Sequence, residues 1–423
     1  MILKAYGATL APRLQSDVSI EGMWTVPQLL ERHWDGDPGA VGGRAARRSF
    51  TYTAFVPDPI AALDPAISFR TAGAVLEAED AIRALNARSD AKGLEAIGPM
   101  LLRSEAMASS RIEGYHASTL NVARALIDPR AARGAARTVA ANLSAMEVAI
   151  SRADDPESLR VQDIEAIHET LMAQEPDAEP GRLRQVQNWI GGRLNNPADA
   201  AFIPPPPDEV PRLVEDLLAF LGRSDVPPVA QAAIAHAQFE TIHPFIDGNG
   251  RVGRCLIHLV LRRAGVAPTF VPPVSIVLAA RPSAYIDGLV DFREGRVAAW
   301  VESFAGACHT AAAQAGRLAD EVRDMQQAWH DRAGRPRSDS AAAKVIALLP
   351  ARPVLSAPTI RAAVGASQQQ VLAGLKVLAD AGVIQQISSG TYDRQFAATE
   401  LLDLVGAYEQ RIAGRASGAG SQG

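Results

Sequence analysis

Apolar residues recur at helical spacing over most of the chain. Residues 73–150 show this pattern in AGAVLEAEDAIRAL and AARTVAANLSAMEVAI. A further helix is predicted over 161–172. Two more flank a Gly-rich segment, with PVAQAAIAHAQFETI before it and VGRCLIHLVLRRAG after it. Helical spacing then continues to about residue 325, so the pattern predicts a mainly α fold with a helical core over 151–325 and an N-terminal helical region over 51–150.

Only short segments have the pattern of strands. TYTAFVPDPIAAL is extended and punctuated by prolines, which suits a segment that lies across another surface. Residues 181–207 contain strand-like pieces around a Gly-Gly and an Asn-Asn-Pro turn, which predicts a β-hairpin. A helix is predicted from Asp208. Residues 1–50 are predicted to be irregular, with a mobile loop at GDPGAVGGRAARR.

The pattern of residues 340–400 predicts a separate small unit. AAAKVIALL, SAPTIRAAV and SQQQVLAGLKVLADAG have the pattern of three short helices, and VIQQISSGTYDRQFAAT that of a hairpin. Three helices followed by a hairpin is the order of a winged helix-turn-helix. The polar segment 326–339 is predicted to be a linker, and 401–423 the end of a helix followed by a disordered tail.

Composition narrows the class of protein. A chain of 423 residues with 48% hydrophobic and 21% charged residues is typical of a soluble protein with two or three domains. The net charge of −5 gives no global attraction to nucleic acid or to an acidic membrane. Cys255 and Cys308 fit neither a metal site nor a disulfide framework. With no apolar run of membrane-spanning length and no secretory start, we expect a cytoplasmic protein without a membrane partner.

The segment HPFIDGNGRVGR, residues 243–254, concentrates the residues that carry chemistry. His243 precedes a proline and should therefore end its helix, which places an imidazole able to accept a proton beside the turn. Asp247 is a hard oxygen ligand suited to Mg²⁺. Gly248, Asn249 and Gly250 permit the positive φ values and the close approach that an anion-binding turn requires.

Two arginines complete this segment. Arg251 and Arg254 lie three residues apart on the first turn of the following helix, so both can reach the same polyphosphate. Singly, each residue of the segment has a common structural explanation, such as a buried histidine or a capping aspartate. Together they predict a nucleotide site, although no GKS or GKT follows the glycines as it would in a Walker loop.

The segment matches every fixed position of the signature of the Fic family, whose members transfer AMP from ATP to protein hydroxyls. The chain resembles the family from about Thr53 to Tyr392. AFVPDPIAAL resembles its N-terminal segment, and GRLRQVQNWIGG followed by FIPPPP resembles its flap hairpin, which aligns the target backbone by strand pairing. EAMASSRIEG resembles the inhibitory helix that precedes the core in one class of members.

The resemblance implies a role for each residue of the segment. His243 would be the general base, Asp247 would hold Mg²⁺, and Arg254 would grip the γ-phosphate of ATP. The remaining nucleotide-binding residues would be Gly248, Asn249 and Gly250 around the α- and β-phosphates, Arg251 in support of that loop, Val252, Gly253, and Tyr285 beside the adenine. Many members have two adjacent tyrosines at the last position, whereas here Ala284 precedes Tyr285.

The segment SSRIEG predicts that the protein restrains itself. Ser109 and Glu113 lie four residues apart, on one face of a predicted helix. A carboxylate near the end of a helix is disfavoured by the helix dipole, so Glu113 is expected to have a partner elsewhere. The resemblance supplies Arg254 as that partner. ATP would then bind only with its triphosphate misplaced.

Two alternatives remain open at this point. The same site can serve to remove AMP from a protein, or to transfer another phosphate-linked group. The chain can instead be a DNA-binding regulator, with 367–380 as the helix that reads DNA. Five basic residues against four acidic ones over 338–400 provide little attraction to DNA, which favours a packing or dimerisation module. A homodimer and the identity of the Ser, Thr or Tyr target are left undecided.

Overall fold

Helices make up most of the protein, as the sequence predicts. The computed structural model describes residues 28–36, 39, 47–64, 68–88, 97–130, 132–155, 157–192, 195–388 and 394–418. The helices there are α1 (Phe69–Ala87), α2 (Ile97–Ile112), α3 (Thr119–Ile127), α4 (Gly134–Ala153), α5 (Val161–Met172), α6 (Val210–Leu221), α7 (Pro228–Ile242), α8 (Asn249–Arg263), α9 (Val274–Ala280), α10 (Pro282–Arg293), α11 (Val297–Arg332), α12 (Ala341–Leu348), α13 (Ala357–Val364), α14 (Gln368–Asp380) and α15 (Thr399–Gly418). No helix in these ranges is long and apolar enough to cross a membrane.

Helix α7 lies at the centre of the fold. Every residue from Val229 to Ile242 is buried, and five of them are alanines. A helix that is buried on all its faces must be enclosed by others, and α1, α6, α8, α10 and α11 pack around it. The small side chains let these neighbours approach closely, so the end of α7 is held rigidly.

A two-stranded hairpin precedes the helices. Strands β1 (Gln28–Trp34) and β2 (Phe50–Val56) pair antiparallel over their whole lengths. The prediction of an irregular segment over 1–50 is therefore wrong for β1, whose sequence alternates too weakly to reveal a strand that forms by pairing with β2. The expectations for 1–27, and for most of the predicted mobile loop, fall outside the described residues.

The predicted flap hairpin is present in reduced form. Over the described part of 181–207, the ladder is a single antiparallel bridge between Ile190 and Phe202. Four consecutive prolines end this segment, and proline has no N–H to donate to a ladder. The β1–β2 hairpin adjoins the flap, because the Phe55 N–H donates to the Ile203 carbonyl at 2.9 Å.

Helix α11 overturns the predicted linker at 326–339. The helix continues to Arg332, so only the last part of that segment connects two elements. The extra turns are stabilised by tertiary contacts that composition does not reveal. Trp329 is fully buried, and its indole N–H donates to the Glu400 carboxylate at 2.6 Å.

The C-terminal unit has one more strand than predicted. Strand β3 (Val354–Ser356) lies between α12 and α13, and strands β4 (Gln385–Gln386) and β5 (Gln395–Ala397) follow α14. The three strands form one sheet in the order β3–β5–β4. The hairpin tip at 389–393 falls outside the described residues. This element order is compatible with a winged helix-turn-helix, and that assignment stays a prediction.

The final helix also differs from expectation. Residues 401–423 were expected to be a helix end and a disordered tail, whereas α15 runs for 20 residues. It forms because Leu401, Val405, Tyr408 and Ile412 recur at a helical spacing and are buried. They share an apolar cluster with residues of α2, so the C-terminal unit packs against that helix.

Candidate functional site

The site is built around the end of α7. His243 terminates this helix with φ 51° and ψ 58°, in the left-handed region. For a residue with a β-carbon, that conformation costs roughly 1–2 kcal/mol. It is held by the His243 N–H, which donates to the Phe239 carbonyl at 2.9 Å, and by Pro244, which prevents the helix from continuing. His243 therefore stands where α7 ends and the loop begins.

The loop between α7 and α8 is braced from within. The Asn249 side chain accepts from the Phe245 N–H at 2.8 Å and donates to the Phe245 carbonyl at 2.8 Å. His168 of α5 stacks on the Phe245 ring at a centroid distance of 3.8 Å. Because His168 Nδ1 accepts from the Gly181 N–H, its Nε2 donates to the Asp247 carbonyl at 3.1 Å.

Arg184 ties the flap to the same loop. Its guanidinium is buried and donates to backbone carbonyls of three segments, namely His243 at 2.8 Å, Pro205 at 2.6 Å and Val186 at 3.1 Å. Burial lowers the pKa of Arg184 to about 10, which leaves it charged at neutral pH. Asn188 adds a further bond to the loop, at 2.8 Å to the Phe245 carbonyl. The base of the flap and the His243 loop therefore form one rigid body.

The glycines of the segment have different physical roles. Gly248 has the predicted positive φ, 78°, and begins α8. Gly250 does not, because it lies in the first turn of the helix. It is instead required for close approach, since a β-carbon there would lie 2.1 Å from Glu113 Oε1. Gly253 lets α8 approach α7, since a β-carbon there would lie 3.1 Å from His236 Nδ1.

Glu113 and Ser109 both reach Arg254. The Arg254 guanidinium donates to Glu113 Oε1 at 2.8 Å, to Ser109 Oγ at 2.8 Å and to the Ser109 carbonyl at 2.8 Å. The Arg254 side chain retains 1% of its exposure and that of Glu113 retains 20%. The ion pair that the sequence predicts is thus present, with Glu113 just beyond the last residue of α2.

The two charges of this pair reinforce each other. Burial acts to raise the pKa of Glu113, but the charge of Arg254 and its hydrogen bond prevail and lower it. Burial acts to lower the pKa of Arg254, and the charge of Glu113 outweighs that effect and raises it. Both side chains are therefore ionised at neutral pH. The carboxylate of Glu113 stands beside the N-terminus of α8, where a phosphate would be favoured.

The His243 imidazole is neutral at pH 7, as a general base must be. Burial and the nearby charge of Arg184 lower the pKa of His243 to about 4. The imidazole is consequently neutral at pH 7, which is the form that accepts a proton. Its Nδ1 faces Glu240, 3.3 Å from the backbone carbonyl of that residue.

Arg251 and Asp247 line a cavity of about 220 Å³ beside the N-terminus of α8. Arg251 stacks on Tyr115, with 5.1 Å from its guanidinium carbon to the ring centroid. Asp247 is exposed, and its Oδ1 accepts from the Gly248 N–H at 2.6 Å. Arg251 thus contacts Tyr115, whereas Arg254 contacts Glu113.

Tyr285 lies behind Arg254 in the interior. It is 5% exposed, and its hydroxyl is 2.9 Å from His236 Nε2. His236 is itself fully buried. The ring of Tyr285 also borders a second cavity of about 630 Å³, together with Ala284. A role for Tyr285 beside an adenine stays a prediction.

The sequence did not reveal Arg184, His168, Asn188 or Glu240 as parts of the site. Each lies outside the segment 243–254 and belongs to no motif that the sequence shows. A buried arginine among glycines and prolines is the one local signal that Arg184 offers, because such a charge needs several acceptors. The approach of α5 to the loop, which brings in His168, is a property of the tertiary fold.

These parts define a class of site. A neutral imidazole stands beside a helix N-terminus, with a carboxylate and two guanidinium groups within the same twelve residues. Such a site accepts a proton on one side and stabilises phosphate charge on the other.

Comparison with known proteins identifies the domain. A model of the Fic/DOC family matches residues 158–261, from before α5 to near the end of α8. The chain therefore contains a Fic/DOC family domain, and the resemblance in the sequence is confirmed over these residues; its extension to Thr53 and Tyr392 stays a prediction.

Curated relatives match over segments of about this length. Protein adenylyltransferase fic-1 of Caenorhabditis elegans is 30% identical over 119 residues, which are 27% of this chain and 22% of that protein. Protein adenylyltransferase Fic of Drosophila erecta is 35% identical over 117 residues, which are 27% of this chain and 22% of that protein. The similar segment thus spans less than a quarter of the length of either relative. A Fic family protein from Desulfovibrio desulfuricans G20 is 26% identical, with a TM-score of 0.48 over 78% of this chain and 96% of that one.

Proposed function

We propose that this protein is an adenylyltransferase that transfers AMP from ATP to a hydroxyl side chain of a target protein. The observation that carries the proposal is the neutral imidazole of His243 close to the N-terminus of α8, a position that favours an anion. The carboxylate of Glu113 occupies the region that we propose for phosphate. The relatives that match the Fic/DOC domain are named protein adenylyltransferases, which supports the same reaction.

The reaction is an in-line displacement at the α-phosphorus of ATP. His243 Nε2 accepts the proton of the target hydroxyl while the hydroxyl oxygen forms a bond to the α-phosphorus. The bond from that phosphorus to the bridging oxygen breaks, and pyrophosphate leaves with the electron pair. Catalysis comes from positioning and from stabilisation of phosphate charge by the N–H groups of α8 and by Arg254. No covalent intermediate on the protein is needed.

Asp247 is the residue that would hold Mg²⁺. Among the described residues, no group of three His, Cys, Asp or Glu side chains could form a metal site by itself. A single exposed carboxylate at the mouth of the phosphate region nevertheless fits this ion, which is commonly bound by one or two carboxylates together with substrate phosphates. When bound, it would neutralise phosphate charge and help to orient the polyphosphate.

The flap would position the target. Its base is fixed to the His243 loop by Arg184 and Asn188, whereas Val186 on the same segment is 58% exposed. An extended target segment paired along the flap backbone would bring its hydroxyl to His243. Selection between Ser, Thr and Tyr would follow from how far the side chain reaches from that segment.

Glu113 would hold the enzyme in a restrained state. It engages the guanidinium of Arg254 at 2.8 Å and occupies the space that the missing side chain of Gly250 leaves free. A γ-phosphate would have to displace a carboxylate of the same sign. Withdrawal of Glu113 would release Arg254 for the phosphate and relieve the restraint.

Radiolabelled ATP tests the proposed function. The Glu113→Gly variant is incubated with a lysate and with ATP labelled at the α- or at the γ-phosphorus. Transfer of AMP places the α-label on protein and leaves the γ-label in pyrophosphate. Protein labelled from the γ-position would instead show transfer of the terminal phosphate. Loss of label from a purified AMP-modified protein, without new labelling, would show removal of AMP.

A further inference from the structure

Glu240 carries a buried carboxyl that the reaction above does not use. It lies in the last turn of α7, three residues before His243, and is 2% exposed. The carboxyl has Tyr285 as a side-chain hydrogen-bond neighbour, and its Oε1 has no hydrogen-bond partner within the described part of the chain. A buried polar atom without a partner costs roughly 1–3 kcal/mol, so the placement of this carboxyl needs a compensating reason.

The backbone carbonyl and the carboxyl of Glu240 both face Nδ1 of His243. His243 Nδ1 lies 3.3 Å from the Glu240 backbone carbonyl and 3.9 Å from Glu240 Oε2. Two acceptors on one side of the ring favour a proton on Nδ1. The other ring nitrogen, Nε2, is then the acceptor.

We propose that Glu240 is a positioning residue for the general base. It holds His243 in the tautomer whose Nε2 accepts the proton of the target hydroxyl, and its carboxylate stabilises the imidazolium that results. This inference rests on the proposed transfer reaction. During the step the proton moves to His243 Nε2, and Glu240 neither gains a proton nor forms a bond.

The surroundings of Glu240 allow this role. Groups from three other elements face the carboxyl: Arg254 of α8, Tyr285 and Arg293 of α10, and Glu113 beyond the end of α2. A β-carbon at Gly253 would lie 3.3 Å from Glu240 Oε1, so that glycine also makes room for the carboxyl.

These neighbours set the charge of Glu240. Burial raises its pKa to about 7, with the charge of Arg254 opposing the rise and that of Glu113 adding to it. The carboxyl is therefore partly ionised at neutral pH. If its ionised form assists His243, transfer should become faster as the pH rises through about 7.

Kinetics of matched variants provide the first test. In the Glu113→Gly background, Glu240→Gln keeps the shape of the side chain and removes its charge. We expect kcat to fall by about tenfold or more, on the scale of acid–base assistance, while KM for ATP stays within about twofold. The rise in rate near pH 7 should disappear. Glu240→Asp should retain part of the kcat and part of the rise in rate near pH 7. Glu79 is a buried carboxyl on α1 that is remote from His243, so Glu79→Gln should leave kcat and the pH profile unchanged.

The tautomer of His243 provides a readout that does not depend on activity. Nitrogen NMR at pH 8, assigned with a His243→Asn variant, should show the proton on Nδ1 in the parent chain. In Glu240→Gln the amide oxygen is drawn to the neighbouring guanidinium groups and its NH₂ faces Nδ1, so the fraction protonated on Nε2 should rise.

The outcomes separate the two ideas. An unchanged tautomer together with an unchanged pH profile in Glu240→Gln would overturn the role of Glu240, even if the protein transfers AMP. A changed tautomer without AMP transfer in any variant would support the positioning role and count against the proposed function. If Glu240→Gln fails to fold, a rate that is flat between pH 6 and 8 in the Glu113→Gly chain would be sufficient to reject the inference.

Discussion

Glu113 Oε1 lies 2.8 Å from Arg254 Nη2, and it would be 2.1 Å from a β-carbon at Gly250. One carboxylate therefore neutralises the guanidinium proposed for the γ-phosphate and fills the space beside the N-terminus of α8. The same contact joins the end of α2 to the first turns of α8. The proposed inhibition would act through charge and volume together.

Removal of this carboxylate should activate the protein. Glu113→Gly should raise self-labelling with ATP by about tenfold or more, because a buried ion pair that is lost frees Arg254 for phosphate. Adding Arg254→Ala should remove the gain. Glu113→Gln, which keeps the volume and loses the charge, should give an intermediate rate and so separates the two effects. Equal labelling of wild type and Glu113→Gly at saturating ATP and Mg²⁺ would show that the end of α2 is only structural.

Replacement of the base should affect the reaction and spare binding. In the Glu113→Gly background, His243→Ala should lower the rate of AMP transfer by about 10²-fold or more. The dissociation constant of ATP, measured by calorimetry, should stay within about threefold, because the proposed phosphate contacts are made by α8 and Arg254. Near-normal labelling by this variant would exclude His243 as the base.

Acid should destabilise the protein through its buried histidines. Burial lowers the pKa of His168 and His243 to about 4 and that of His236 to about 3. The unfolded chain binds these protons near pH 6.5 and the folded chain does not, so stability falls as pH drops from about 6.5 toward 4, by about 1.4 kcal/mol per pH unit for each histidine. Urea unfolding at pH 7, 6 and 5 measures the slope.

His236→Gln provides the matched comparison for that titration. It removes one of the three groups, so the slope of unfolding free energy against pH should decrease by the contribution of one proton. A wild-type curve that is flat between pH 6.5 and 5 would contradict the depressed values.

Arg184 should be essential for both stability and alignment. Arg184→Ala removes the guanidinium donors to the carbonyls of His243 and Pro205, so the flap stays attached to the loop only through Asn188 and the backbone N–H of residue 184. We expect a loss of about 3 kcal/mol in the free energy of unfolding, together with reduced AMP transfer to protein. Arg184→Lys should recover part of the stability, because one ammonium group cannot reach all the acceptors. Full activity in a stable Arg184→Ala protein would show that the flap positions itself.

The C-terminal unit should bind duplex DNA weakly. Its near balance of basic and acidic residues over 338–400 offers few phosphate contacts. Fluorescence anisotropy with the full chain and mixed-sequence duplexes at physiological salt should show no tight complex. Selection of a specific sequence with nanomolar affinity would favour the regulator alternative.

The sequence alone determined the helical class of the fold and the chemistry of 243–254. Helical periodicity is a local property, and α5 begins and ends at the predicted residues. The segment 243–254 is equally local, because Pro244, Gly248 and Asn249 fix a turn and the start of a helix within a few residues. Its charged residues lie on that turn and on the first two turns of α8, so their closeness followed from the sequence.

The tertiary structure decided which distant residues complete the site. Arg184 and His168 join the site because the flap and α5 approach the end of α7, and Glu240 is buried beside His243 because other helices enclose α7. Strand β1, the last turns of α11 and the length of α15 likewise depend on partners far away in the chain. Hydrogen-bond acceptors and apolar surfaces contributed by other elements leave no periodic signal in the segment that uses them, and they act only once the chain has folded.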